Sequence, residues 1–389
     1  MQDGVYSNPT KILFGKTSLD LLGEEVAKSA KKVLVVYGGQ TYFKLNLDKN
    51  IKNQFEKQNI SYWELGGIKP NPLADKVYEG IALCREHDIQ LVLAVGGGSV
   101  IDTAKAIAAG VNYEGDFFDF FERKCLPSRL LPVATVLTVV GAGSESSDGA
   151  VISKNDQKYS CGSPMMYPLF SILNPELSLS VPVYQSVCGL VDAISHVMER
   201  YFSSTTYVET STAMCEALIR TLIHYGRLII NDPQNYEIRA EIMWAAKLAH
   251  DNTVGFGRKQ DWATHAIAHE VGARYDAPHG ATLAILFPSW MYYMCLKHEP
   301  LFVRFAKEVF YISSENKTNQ EVAHEGIAAY QKFVEALGLP TNLRDLGLTD
   351  TSEFLAIADA CSLTTKSGTI GNLQRLTKTD VIEILKLSA

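Results

Sequence analysis

Ile89-Gln90-Leu91-Val92-Leu93-Ala94-Val95-Gly96-Gly97-Gly98-Ser99-Val100-Ile101-Asp102 is the stretch that decides the fold. An almost unbroken apolar run stops at three glycines, and Ile101, Ala104 and Ala108 then recur at helical spacing. That order reads as a buried strand, a tight turn and a helix. A strand apolar on both faces belongs in a parallel sheet covered by helices on each side. The glycines let backbone approach a ligand with no Cβ in the way. Unpaired N–H groups at the helix start favour a phosphate. Ser99 and Asp102 have the S-x-x-D spacing of an N-cap. The spacing is neither G-x-G-x-x-G nor that of a Walker loop, because no Ser or Thr follows Lys105. A pyrophosphate site is the better reading than a bare strand-to-helix turn.

The same rhythm extends in both directions. Lys32-Val33-Leu34-Val35-Val36-Tyr37 ends at Gly38-Gly39, and Leu131-Pro132-Val133-Ala134-Thr135-Val136 leads to Gly141-Ala142-Gly143. In open α/β sheets ligands bind at the carboxyl ends of the strands, where these glycines fall. From about Val187 onward β-branched runs become rare. Helical patterns cover Glu209–Tyr225, Arg239–Asp251, Trp262–Tyr275, Gly326–Gly338, Ser352–Cys361 and Asp380–Leu387. The expected architecture is an α/β Rossmann-like parallel-sheet domain over residues 1–185, an all-α domain over 186–389, and a cleft between them.

Composition narrows the function. The chain has 389 residues, 47% hydrophobic and 20% charged, which excludes a disordered chain and a small disulfide scaffold. Its net charge of −7, with no block of like charges, argues against a nucleic-acid or anionic-membrane partner. Seven scattered cysteines with no C-x-x-C pair fit a reducing compartment, and the opening residues carry no basic region followed by an apolar core, so no signal peptide is expected. The longest apolar stretch, Leu283 to Leu296, is too short to span a bilayer and reads as a core helix. A cytoplasmic protein is expected.

The sharper signal lies in the helical half. Asp192 and His196 are i and i+4, and His265 and His269 repeat that spacing. His279 follows in Pro278-His279-Gly280, where a helix is expected to have ended. Histidines with a carboxylate and no thiolate suit a borderline divalent metal, Fe²⁺ or Zn²⁺. Such a cation polarises an alcohol or carbonyl oxygen. Each pair alone reads more simply as a helix-surface contact or a core histidine; two pairs and a third segment reverse that. Zinc-protease chemistry is excluded, since no His-Glu dipeptide is followed by His at the required spacing.

These residues together resemble the iron-containing, group III alcohol dehydrogenases, closest to the NAD(P)H-dependent butanol dehydrogenase-like branch. The resemblance runs from Asn8-Pro9-Thr10-Lys11-Ile12-Leu13-Phe14-Gly15 through Lys69-Pro70-Asn71-Pro72, the Gly96–Asp102 turn, Gly143-Ser144-Glu145 and Val191–His196. It continues in Asp261-Trp262-Ala263-Thr264-His265 and His279-Gly280-Ala281-Thr282. It implies the dehydroquinate synthase-like architecture, with Asp192, His196, His265 and His279 on the metal and His269 beside nicotinamide and substrate, helping proton transfer. It also implies that Gly97, Gly98, Ser99 and Asp102 hold the pyrophosphate and that Gly38, Gly39 and Gln40 lie near the adenosine ribose. Asn71, Thr138, Ser144, Ser147 and Lys158 complete the implied cofactor site. Gly39 sets no carboxylate against the ribose 2′ position, so the expectation leans to NADPH over NADH. The implied reaction is reversible hydride transfer between NAD(P)H and a small aldehyde or primary alcohol, in a homodimer or larger assembly. The first rival is a metal- and NAD-dependent lyase of the dehydroquinate synthase type, which needs several Lys or Arg groups around a substrate phosphate. The second is a non-catalytic nucleotide-binding or scaffold protein, against which the intact metal set argues.

Overall fold

The computed structural model describes residues 1–155, 157–363, 365 and 367–389. Its strands are β1 (Lys11–Phe14), β2 (Lys32–Tyr37), β3 (Ser61–Leu65), β4 (Leu91–Gly96), β5 (Val133–Leu137), β6 (Gly149–Lys154), β7 (Gln157–Gly162) and β8 (Phe170–Leu173). Six form one parallel sheet in the order β1-β8-β5-β4-β2-β3, and β6 and β7 form an antiparallel hairpin.

Helices α1 (Leu22–Ala27), α2 (Thr41–Lys44), α3 (Leu47–Lys57), α4 (Ala74–Glu86), α5 (Gly98–Val111) and α6 (Phe118–Phe121) fall among the strands. The sheet is covered on both faces, as its apolar runs require. Leu34, Val36, Val92 and Ala94 pack with Val77 and Ile81 of α4 and Ile101 and Ala104 of α5. Their alternate neighbours Val33, Val35, Leu91 and Leu93 pack with Leu22 and Val26 of α1 and Ile51 and Phe55 of α3. This is period-two alternation with both sets buried.

The remaining helices are α7 (Val183–Tyr201), α8 (Glu209–Ile229), α9 (Tyr236–His250), α10 (Ala263–Tyr275), α11 (His279–Phe310), α12 (Asn319–Ala336), α13 (Glu353–Leu363) and α14 (Lys378–Leu387). The expected core helix at 283–296 lies inside α11, which takes in Pro288 and Pro300 and breaks helical geometry at His298 (φ −127°, ψ 30°). The second proline explains that break, since it lacks the N–H that would continue the ladder. α12 starts earlier than its apolar pattern suggested, at a Thr318–Glu321 capping box. No helix among the described residues is long and apolar enough to cross a membrane.

The chain forms two compact units. The α/β unit holds Ser7–Val181 and Gln234–Asp251; the helical unit holds Met1–Tyr6, Pro182–Pro233 and Asn252–Ala389. This grouping departs from a single cut between residues 185 and 186 by carrying α9 into the α/β unit. The physical reason is packing: Met243 of α9 is buried in the core that also contains Leu34 and Val92.

Candidate metal centre and dinucleotide site

Asp192 and His196 sit one turn apart on α7, most of which is buried. His265 and His269 do the same on α10, and His279 is the first residue of α11. The helical unit draws the three helices together around one carboxylate oxygen. Asp192 Oδ1 lies 3.5 Å from His196 Nε2, 3.8 Å from His265 Nε2 and 3.8 Å from His279 Nε2. Ligands about 2.1 Å from one tetrahedral cation stand about 3.4 Å from each other, so this spacing suits a shared ion. Ligand atoms of Asp192, His265 and His279 all fall within 4.8 Å of one another, while His196 joins the group through Asp192.

The donors also fit a cation energetically. Asp192 Oδ1 and His265 Nε2 are buried and have no hydrogen-bond partner among the described residues. Their separation of 3.8 Å makes an ionic contact rather than a hydrogen bond. Buried polar atoms left in this state are costly unless something binds them. Burial opposes a charge on the His265 ring, but Asp192 and Glu199 outweigh it and hold its pKa above the ordinary histidine value. A cation can take the place of that proton.

Sequence reasoning missed Glu199. It stands seven residues after Asp192 on α7, and that spacing was the available signal. Its side chain is fully buried, with Oε1 2.8 Å from His265 Nδ1 and Oε2 accepting from the Trp262 N–H at 2.6 Å. Trp262 adopts φ 66°, a left-handed conformation unusual for a bulky residue. Its indole lies edge-on to His265 at 5.0 Å between centroids, and Arg200 sits 4.8 Å from the ring centre. His269 is half-buried beside the cluster, its ring centroid 4.9 Å from that of His279 and 6.4 Å from that of His265.

The cofactor candidates all belong to the α/β unit. Gly38, Gly39 and Gln40 follow β2, Gly97, Gly98 and Ser99 follow β4, and Thr138 follows β5. These strands are parallel neighbours, so all three loops emerge at one edge of the sheet. The chain passes from β2 outward to β3 and returns to the other side of β2 as β4. Such a reversal is where open α/β sheets bind ligands.

The triple-glycine turn differs in detail from the capped start expected of it. Gly97 is the N-cap, with no side-chain cap, and Ser99 lies inside the first turn of α5. Asp102 points elsewhere: Oδ1 accepts from Ser144 Oγ at 2.8 Å and Oδ2 from the Val151 N–H at 3.0 Å. The neighbouring Lys105, which sequence reasoning only excluded as a Walker lysine, is fully buried and donates to the carbonyls of Ser147 and Gly149. Burial raises Asp102 to about 6 and lowers Lys105 to about 8. The two side chains tie α5 to the loop of Ser144 and Ser147. Gly98 is required by the protein itself, because a Cβ there would stand 2.5 Å from Ala142 Cβ. The Thr138 N–H donates to the Gly96 carbonyl at 3.0 Å. Asn71 lies between β3 and α4 with φ 55°, and Lys158 lies on β7 opposite Ser153.

Known proteins resemble the chain over both of its halves. Residues 9–175 match the family described as iron-containing alcohol dehydrogenase, and residues 186–389 match the C-terminal part of the Fe-containing alcohol dehydrogenase family. The chain is 41% identical over 390 residues to the probable NADH-dependent butanol dehydrogenase 1 of Bacillus subtilis, covering 100% of both. It is 35% identical over 350 residues to the NADPH-dependent aldehyde reductase YqhD of Escherichia coli, covering 88% of this chain and 89% of that one. The crystal structure of NADH-dependent butanol dehydrogenase A from Thermotoga maritima superposes with a TM-score of 0.95 at 38% identity, covering 100% of this chain and 99% of that one.

Proposed function

The chain belongs to the iron-containing alcohol dehydrogenase family, and from that premise we propose how its residues divide the work. It is an NAD(P)-dependent alcohol dehydrogenase and aldehyde reductase, butanol dehydrogenase-like, with an Asp/His metal site. The observation that carries the reading is one buried carboxylate oxygen facing three imidazole nitrogens within 3.8 Å. Asp192, His265 and His279 hold the cation, with His196 as fourth ligand. Fe²⁺ suits this mixed imidazole and carboxylate set, and Zn²⁺ is the alternative. A cation held there would supply polarisation of the substrate oxygen, and a bound nicotinamide would supply the hydride chemistry.

The chain's own part is to bind, orient and move a proton. His269, half-exposed beside His279, passes that proton to or from the substrate oxygen. Gly97, Gly98 and Ser99 offer the first amides of α5 to the pyrophosphate. Asp102 and Ser144 contribute by holding the adjoining loop, while Gly38, Gly39, Gln40, Asn71, Thr138, Ser147 and Lys158 complete the dinucleotide contacts. Residues 38–40 carry no carboxylate to repel a 2′-phosphate, which supports NADPH; the NADH-dependent relatives support NADH. The substrate class is a small aldehyde or primary alcohol, handled in the cytoplasm by a homodimer or larger assembly. The lyase alternative is set aside by family matches to both halves of the chain.

The test is metal analysis of anaerobically purified protein, followed by butanal reduction with NADH and NADPH in parallel. About one metal per chain and steady NAD(P)H consumption are expected. Full turnover by metal-free protein would refute the reading.

A further inference from the structure

We propose that Glu199 is a positioning residue for metal binding: a cap supplied to α10 by a different helix, which also selects the tautomer of His265. The role rests on the metal reading above. Helix α10 starts after Trp262, a left-handed residue that makes no side-chain cap hydrogen bond of its own. The first N–H groups of a helix need partners from elsewhere. Glu199, on α7, meets that need. Its Oε2 accepts from the Trp262 N–H at 2.6 Å, and its Oε1 accepts from the His265 N–H at 3.0 Å.

The same Oε1 stands 2.8 Å from His265 Nδ1. A carboxylate only accepts, so Nδ1 carries the proton and the Nε2 lone pair is left towards Asp192 Oδ1. One oxygen thus grips both the backbone and the ring of a single ligand. The turn is braced around that grip: Trp262 Nε1 donates to Gln260 Oε1 at 3.0 Å, and the Asp261 N–H donates to the Glu199 carbonyl at 2.8 Å. Asp192, His196 and Glu199 share one face of α7 at steps of four and three residues, so the carboxylate that orients a ligand is rigidly joined to two of the ligands.

Glu199→Gln keeps the size but turns one acceptor into a donor facing an N–H group. We expect its dissociation constant for Co²⁺, measured by chelator competition, to rise about 10- to 100-fold. The visible Co²⁺ band should shift, which a loss of helix capping alone would not produce, and the metal-free protein should melt a few degrees lower as the cap weakens. A second measurement needs no variant. In ¹⁵N-histidine-labelled, Zn²⁺-loaded wild-type protein, His265 should show a protonated Nδ1 and a metal-bound Nε2. Wild-type affinity and spectrum in Glu199→Gln, or the opposite nitrogen on the metal, would overturn this role alone. A wild-type protein that takes up neither ion would overturn the metal centre itself and this role with it.

Discussion

A Cβ on Gly280 would stand 1.9 Å from the carbonyl oxygen of Cys188. The first turn of α11 therefore rests directly on the backbone of α7. Cys188 is one turn before Asp192 and Gly280 is next to His279, so this contact sets how near the histidine comes to the carboxylate. At 3.8 Å, Nε2 of His279 is within range of a shared ion.

Gly280→Ala is accordingly expected to push His279 out of the cluster. The overlap is with backbone, which cannot rotate away, and overpacking of this kind costs about 1–3 kcal/mol. Metal content by mass spectrometry and thermal unfolding should both fall. A variant that keeps full metal content would show that the helices separate without moving the ligand.

Replacement of the ligands and of their neighbour should give different results. Asp192→Ala or His265→Ala should abolish metal retention and turnover together. His269→Ala should keep its metal and lose roughly 10²-fold or more in kcat, the usual worth of a proton-transfer group. Metal loss in the His269 variant would move that residue onto the ion.

The buried pair on α5 predicts a dependence of stability on pH. Burial lifts Asp102 from 3.8 to about 6, only partly offset by Lys105, Ser144 and the Val151 N–H. Its folded value lies above its unfolded one, so its contribution is complete below about pH 4 and is lost as pH rises through about 6. Lys105 runs the other way: lowered to about 8, its contribution is complete above its ordinary value and is lost as pH falls through about 8. Urea unfolding at a series of pH values should show stability falling more steeply between about pH 4 and 6 in the wild type than in Asp102→Asn. The difference should be of the order of 1–3 kcal/mol. Identical slopes would mean that Asp102 does not titrate in that window.

Gly39 offers a direct test of cofactor choice. A Cβ there meets nothing within 4 Å, so a side chain can be introduced without collision. Gly39→Asp should place a carboxylate where a 2′-phosphate would approach, and it should lower kcat/KM for NADPH relative to NADH by about tenfold or more. An unchanged ratio would remove Gly39 from the ribose site.

Much of the fold was legible in the linear pattern. Runs such as 32–37 and 89–95 are apolar on both faces, and only a sheet covered on both sides buries every residue of such a run. β1 and β3 carried no comparable signal, because each lies at an edge of the sheet, with no residue of β1 and only Leu65 of β3 fully buried. The hairpin of β6 and β7 was hidden for a similar reason: its length includes Lys154, Gln157 and Lys158, which resemble a polar loop. α9 read correctly as a helix, yet its place in the α/β unit depends on Met243 finding a core assembled from distant strands.

The sequence by itself determined which residue types were available for the chemistry and that helical periodicity would pair them, since i,i+4 spacing places Asp192 with His196 and His265 with His269. It also determined a glycine turn at the end of a buried strand, because such a run can stop and reverse only where the backbone is permissive. Only the tertiary structure decided that one oxygen of Asp192 would meet nitrogens from three helices, that Glu199 would grip His265, and that Asp102 would turn inward to Ser144 and Val151. Those outcomes depend on helix packing and on where buried polar groups find partners, and neither is encoded in any local stretch of the chain.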